Sequence, residues 1–504
     1  MSNFSQLPQV VSLPTEFEVN NINPCVPPET KSSSIRVYAV NNPTVTSSFS
    51  TGTPTTATVI PEIPFPQTEI NFDIPVAQSR DTWIDTRMST ISFRCVVTTT
   101  TAGNIKVSTG TLRSSAYSFF DNMRVTGQSG NLLENINEYG LVADTLIQGQ
   151  LSNSDREGLF NYGFKSTFGE TTSTTAGANN AFTNSGHDLP VLSKAGALVL
   201  NDSVSHNYSI PLLSSTLGVL ADRFFPSGLT KKLMVTLTTA SVLPFSIVTA
   251  DTTTPTASTV KVELTDFFLN LETIKIGDNA MNHILSNLKD GKMFLHGSTY
   301  KTTTSLIPAN ATGSINLPIG ITGTSVRSLF TRFYETSTNP VWGKYSSANP
   351  CLNQFGYNIG GLQVPSSLYN PSLYPALSWR SFLMAMGTFN STQFKSGITA
   401  LSYGRLASGG TATTVTSGQS STQDAIFKSI TTNALYQSTF LLGENLETIP
   451  RRGLLSGRDL TFQKVGLILG IATASTNSIN VYVTALMDTI CIIDVNSGDA
   501  QSIL

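Results

Sequence analysis

Apolar and polar residues alternate along much of this chain. Ile70, Phe72, Ile74 and Val76 alternate with Glu69, Asn71, Asp73 and Pro75. Val260, Val262 and Leu264 alternate with Lys261, Glu263 and Thr265. Ile479, Val481, Val483 and Ala485 alternate with Asn480, Tyr482 and Thr484. A period of two places one set on a buried face and the other outward, which is the mark of a half-buried strand. Clusters of Gly, Pro, Asn and Ser separate such runs, and many short strands with turn-rich spacers predict a sandwich or jelly roll. Helical spacing is rare. Tyr139, Leu141, Val142, Leu146 and Ile147 predict a helix over 137–150, and 280–288 and 374–386 are further candidates.

Three stretches break the alternation. Residues 1–65 hold eight prolines between Pro8 and Pro61 and a Thr/Ser run at 44–58, which predicts an extended arm that orders against neighbours in an assembly. Residues 165–188 and 396–424 are rich in Thr, Gly, Ala, Asn and Ser and read as long surface excursions between strands.

Four segments recur in the same order in the two halves. Residues 115–125 are echoed at 325–334, 209–214 at 438–443, 233–239 at 466–471, and 262–271 at 480–489. The shared order predicts one sandwich duplicated, with a boundary near 286–292. The expected organisation is therefore an arm over 1–65, a first jelly roll over 66–288 and a second over 289–504.

Composition agrees. Charged residues make up 12% of the 504, about half the usual share, and Ser, Thr, Asn and Gln carry the polarity instead. Thr suits a pleated surface, and Asn, Ser and Gly build turns. The formal net charge is −2 and the first basic residue is Lys31, so no basic arm for condensing nucleic acid is expected. Cys25, Cys95, Cys351 and Cys491 show no CxxC spacing and read as reduced thiols, with Cys491 a small buried hydrophobe. The first twenty residues hold Glu16 and Glu18, no Lys or Arg and no apolar core, so no secretory signal is read. The five N-x-[ST] triplets, beginning at Asn3, Asn201, Asn207, Asn310 and Asn390, are then chance features of an Asn/Ser/Thr-rich chain.

Catalytic patterns are not found. His187, His206, His283 and His296 lack metal-ligand spacing and read as ordinary surface or core histidines. The run from Gly453 to Gly457 has the wrong spacing for a nucleophile elbow. Gly291-Lys292 is followed by Met293, which cannot ligate Mg²⁺ as Ser or Thr would. Gly360-Gly361 suits a tight turn. Glu444 and Glu447 read as solvated or ion-paired, and Arg451, Arg452 and Arg458 as forks bridging subunits or loops. No catalytic, cofactor-binding or metal-ligating residue is assigned, and no cofactor is expected.

Four further passages carry a resemblance. They are Ser114-Ser-Ala-Tyr-Ser-Phe-Phe-Asp-Asn-Met-Arg-Val-Thr-Gly127 leading to Asn137-Glu-Tyr139; Ile210-Pro-Leu-Leu through Phe225-Pro-Ser-Gly228 to Leu237; Phe355-Gly-Tyr-Asn-Ile-Gly-Gly-Leu-Gln-Val-Pro365; and Phe440-Leu-Leu-Gly-Glu-Asn-Leu-Glu447 with Leu455-Ser-Gly457. The chain resembles the double-jelly-roll major capsid proteins of the lineage that includes adenoviruses, virophages and polinton-like viruses. The resemblance implies an all-β chain of two eight-stranded jelly rolls with a few short helices and long loop insertions. It implies a non-enzymatic structural protein, three copies of which form a pseudo-hexameric capsomer in the icosahedral shell of a tailless double-stranded DNA virus. The implied partners are copies of itself, neighbouring trimers, penton and minor capsid proteins, and a host receptor reached by outer loops, with no sequence-specific contact to nucleic acid. The implied place is the virion, after synthesis in the host cytoplasm or viral factory rather than secretion. The competing expectation is a β-sandwich adhesin or carbohydrate-binding module. A β-sandwich glycosidase is a third class, and it needs two carboxylates roughly 5–10 Å apart.

Overall fold

The computed structural model describes residues 31–50, 59–60, 63–75, 79–99, 105–107, 115–152, 198–199, 203–244, 247–249, 259–288, 290–334, 343–345, 347, 349–388, 396, 398, 403, 440–447 and 456–503. The strands of the first half are β1 (Lys31–Tyr38), β2 (Val45–Ser50), β3 (Val59–Ile60), β4 (Glu69–Ile74), β5 (Thr82–Thr99), β6 (Ile105–Val107), β7 (Phe120–Gly127), β8 (Leu132–Asn137), β9 (Leu198–Val199), β10 (Ser203–Pro211), β11 (Phe224–Phe225), β12 (Leu233–Thr239), β13 (Ile247–Thr249) and β14 (Thr259–Lys275). Those of the second are β15 (Lys292–Ile307), β16 (Gly313–Ile319), β17 (Val326–Tyr334), β18 (Leu352–Ile359), β19 (Leu362–Tyr369), β20 (Leu441–Asn445), β21 (Val465–Ile471), β22 (Ile479–Asp494) and β23 (Asp499–Ile503). Helices α1 (Tyr139–Gln150), α2 (Asp278–Ser286) and α3 (Pro375–Ala385) fall on the three predicted helical stretches.

The second half states the wiring in its simplest form. Its sheets run β15-β22-β17-β20 and β16-β21-β18-β19, with β23 added beside β22. Counted along the chain from β15, these are strands 1-8-3-6 and 2-7-4-5, the order of a jelly roll. The first half repeats it. Its main sheets run β1-β14-β5-β10 and β4-β12-β7-β8, and β1 and β2 act as one broken first strand because both pair with β14. Among the described residues no ladder joins the halves: strand pairings up to Lys275 stay in the first and those from Lys292 stay in the second, with α2 between them. Every strand pairing is antiparallel, as eight strands folded back on themselves require.

Alternation set these strands. Ile70, Phe72 and Ile74 are buried on β4, Val260, Val262 and Leu264 on β14, and Val481, Val483 and Ala485 on β22. Inside the first barrel Phe93 meets Phe119 and Phe120 edge-on, with ring centroids 5.4 and 5.3 Å away. In the second, the Thr331 and Tyr357 hydroxyls hydrogen-bond at 2.7 Å between the two sheets. A buried tyrosine needs such a partner for its polar tip.

Two expectations are corrected. Within 1–65, β1 and β2 are hydrogen-bonded strands of the first barrel rather than a separate arm, their Ser-rich composition masking the alternation around Ile35 and Val37. Residues 1–30 lie outside the described residues. Of the four repeats, three join equivalent strands: β10 with β20, β12 with β21, β14 with β22. The fourth does not. Residues 115–125 lead into β7, the fourth strand, whereas 325–334 form β17, the third, whose counterpart is β5. Similar apolar spacing on neighbouring strands of one sandwich produces that false match.

Topology also locates the two low-complexity stretches, which lie almost wholly outside the described residues. Each falls between the fifth and sixth strands of its barrel, after α1 and α3 respectively. Connections 1–2, 3–4, 5–6 and 7–8 of the first barrel contribute β3, β6, β9 and β13, which form a small sheet ordered β3-β13-β6-β9. Those four connections emerge at one end of a jelly roll, so this sheet caps that end. Among the described residues no helix is long and apolar enough to cross a membrane.

Candidate functional site

Among the described residues that sequence chemistry singled out, Ser456 Oγ donates to Glu447 at 3.1 Å and His206 lies opposite Cys95 where β10 pairs with β5. Glu447 is ion-paired to Arg327 at 2.5 Å, as expected, but Glu444 is not solvated. It is buried on β20, takes a 3.1 Å hydrogen bond from Ser381, and burial raises its pKa. His283 is exposed on α2 beside Asn287, and burial followed by the charge of Arg223 lowers the pKa of His296. Cys95 and Cys491 are buried, and burial pushes their thiols up to about 12 and about 11, which leaves them unreactive at neutral pH. Arg458 forms a backbone bridge with Val326, while Arg451, Arg452 and His187 lie outside the described residues. No group of three or more His, Cys, Asp or Glu that could hold a metal occurs among the described residues.

What the fold does assemble is a seam between the barrels, made of charges that sequence reading passed over. The first barrel brings acids. Asp121 stands on β7, Glu134 on β8, Glu138 just before α1 and Asp144 within it. The second barrel brings Arg332 on β17, Lys344 in the 3₁₀ turn Gly343–Tyr345, and Thr299 on β15.

Oδ2 of Asp144 accepts from Nη1 and Nη2 of Arg332, both at 2.8 Å, and from Gln148 Nε2 at 2.7 Å. Arg332 also donates to the Tyr345 carbonyl at 3.1 Å. Leu141, Tyr334, Tyr345 and Tyr482 form an apolar cluster across the same joint. Helix α1 is therefore buried over all but its last residue.

Lys344 donates to Glu138 at 2.7 Å and Asp121 at 3.0 Å. Burial works against its ammonium, but Tyr345, Glu138 and Asp121 outweigh it and push its pKa up. These groups border a cavity of about 330 Å³ between the barrels.

Glu134 is fully buried. It accepts from Ser214 Oγ at 2.5 Å and Ser215 N at 2.8 Å in its own barrel, and from Thr299 Oγ1 at 3.1 Å across the seam. Burial raises its pKa and those hydrogen bonds pull it partly back.

Close approach completes the joint. A Cβ on Gly140 of α1 would lie 2.6 Å from the Tyr345 hydroxyl and 2.8 Å from Ser118 Cα, and one on Gly297 of β15 would lie 3.1 Å from the Ser215 carbonyl oxygen. Near the chain terminus Lys231 N donates to the Gly498 carbonyl at 2.8 Å and Ser129 Oγ to Asp499 at 2.5 Å.

Buried partners of opposite sign fix how two surfaces meet, because leaving either one unpaired is costly. The arrangement can therefore hold two barrels as one rigid block. One signal for it was present in the sequence: single charges inside apolar runs, at Glu134, Asp144 and Arg332.

No protein-family model and no curated protein sequence matches the chain. Solved structures do match its fold. The Faustovirus major capsid protein is 10% identical with a TM-score of 0.50, over 95% of this chain and 94% of that one. The Sputnik virophage structure solved by cryo-EM is 11% identical with a TM-score of 0.50, over 98% of this chain and 93% of that one. The chain is an all-β double jelly roll, sharing its fold over nearly its whole length with these two viral structures.

Proposed function

We propose that this chain is a structural major capsid protein. Three copies form a pseudo-hexameric capsomer of six barrels, and capsomers tile the icosahedral shell of a tailless double-stranded DNA virus. The observation that carries the reading is the seam: two barrels of like wiring are joined by the buried Asp144–Arg332 pair and the partly buried Lys344–Glu138 pair into a single block. Such a block suits a tile that must keep its shape against neighbours on every side. The fold likeness to the Faustovirus protein supports it.

On this reading residues 66–288 and 289–504 are the two jelly rolls, divided near 286–292, and the strands from Lys31 complete the first. The chain is not an enzyme, and its place is the virion, after synthesis in the host cytoplasm or viral factory. Its partners are its own copies, penton and minor capsid proteins, and a host receptor met by the long connections. The test is native mass measurement with electron microscopy of the purified protein. Trimers of the 54.0 kDa chain, or shells, are expected, and a persistent monomer would overturn the reading.

A further inference from the structure

The cavity in the seam belongs to neither barrel alone. The first barrel supplies Asp121, Glu138 and the chain that follows β12, and the second supplies Tyr334, Lys344, Tyr345 and Tyr482. It lies at the end of the barrels that carries the small capping sheet, because Tyr334 ends β17, Tyr482 lies near the start of β22, and Ser241 follows β12. Gln67 and Ser241 are exposed at its rim, so it opens to solvent, while its three tyrosines are buried. At about 330 Å³ it falls in the range of small-ligand pockets.

Two polar atoms of the lining are left without a protein partner among the described residues. Tyr482 is only 9% exposed, yet its hydroxyl makes no hydrogen bond there. A buried hydroxyl in that state is costly until something completes it. Glu138 Oε2 accepts from Lys344 at 2.7 Å, whereas its Oε1 accepts from no described residue. The two groups are near neighbours: after burial, the charge of Glu138 is the largest influence raising the pKa of Tyr482, which keeps the phenol protonated. Asp121, by contrast, is fully engaged, by Lys344 at 3.0 Å and by Ser241 N at 3.0 Å.

Charge selects the kind of partner. Asp121 and Glu138 are two carboxylates facing one ammonium, Lys344, and the Asp144–Arg332 pair beside them sums to zero. One negative charge is therefore in excess among three tyrosine rings. Carboxylates with aromatic rings recognise organic ammonium ions. Lys344 already uses that chemistry, with its Nζ 5.9 Å from the Tyr345 ring centroid. A metal ion would lack ligands, since no group of three or more His, Cys, Asp or Glu occurs among the described residues. We infer that the cavity binds a small alkylammonium ion, whose N–H groups donate to Glu138 Oε1 and the Tyr482 hydroxyl and whose alkyl stem lies along Leu243 and the tyrosine rings. The inference goes beyond the capsomer reading and does not depend on it, because a single chain carries the whole cavity.

The test titrates butylamine into the full chain at neutral pH by calorimetry, with 1-butanol as the uncharged match. Saturable binding of one butylamine per chain is expected, together with a rise in Tm, because a ligand held between the barrels favours the folded state. 1-Butanol should give neither. Tyr482→Phe removes a hydroxyl that holds nothing in the protein, so it should fold as wild type by circular dichroism and bind butylamine about tenfold more weakly, the worth of one hydrogen bond to a charged group. Glu138→Gln should weaken binding at least as much. No saturable binding of butylamine, equal binding of 1-butanol, or a Tyr482→Phe chain that binds as wild type would each overturn the assignment.

Discussion

Asp144 and Arg332 lie 188 residues apart in sequence and belong to different barrels, yet a single carboxylate oxygen takes two 2.8 Å hydrogen bonds from the guanidinium, with each side chain only 3% exposed. At that depth neither charge has water to fall back on. Removing one partner leaves the other buried and uncompensated. Asp144→Leu or Arg332→Met should each destabilise the fold by about 3–5 kcal/mol. The double change Asp144→Leu/Arg332→Met should recover much of that loss, since well-packed apolar groups can replace a buried pair. Chemical denaturation of all four proteins gives the cycle, and additive losses would show that the two residues do not act as a pair.

Gly140 tests the close approach. A methyl group there would press on the Tyr345 hydroxyl and the backbone of Ser118. Gly140→Val should cost about 1–3 kcal/mol by overpacking, read as a lower Tm. Gly130, in an open turn with nothing near a would-be Cβ, offers the contrast: Gly130→Asn, a residue that tolerates its positive φ, should cost far less.

Glu134 makes the fold sensitive to pH in a direction opposite to an ordinary salt bridge. Burial raises its pKa, so the folded chain holds that proton more tightly than the unfolded chain does. The stability gained this way is full below the ordinary carboxylate pKa and is lost as pH rises through the raised value. The Tm difference between wild type and Glu134→Gln should therefore move in favour of the variant as pH climbs from below the ordinary carboxylate range to neutrality. A difference that stays flat, or moves toward wild type, would contradict the assignment.

Phe462 bounds these effects from the other side. Its side chain is 96% exposed, so Phe462→Ser should shift stability by no more than about 0.5 kcal/mol in a denaturant titration.

The sandwich class was legible because strand alternation is local. Ile70, Phe72 and Ile74 declare a buried face without reference to anything distant. Helix α1 was legible in position but not in surroundings: its spacing gave Tyr139 to Ile147, whereas the burial of Asp144 and Gln148 depends on a strand nearly two hundred residues away. Glu134 and Arg332 were overlooked for the same reason. A lone charge in an apolar run is meaningful only when its partner is known, and a single sequence does not pair them. The first-strand segments β1 and β2 were read as an arm because Ser32, Ser33, Ser34, Ser47 and Ser48 dilute the apolar signal below what alternation can reveal.

The small sheet at one end of the first barrel bears on the outline of a six-barrel tile. Its strands are drawn one each from four separate connections, so it is an ornament with its own hydrogen bonding, standing apart from the two main sheets. Among the described residues the second barrel carries no such sheet. In the proposed capsomer the caps of the three first barrels would stand at every second position of the ring, so a hexagonal footprint would bear a triangular relief. That relief would give each tile a rotational polarity, and a neighbour or a receptor could distinguish orientations sixty degrees apart.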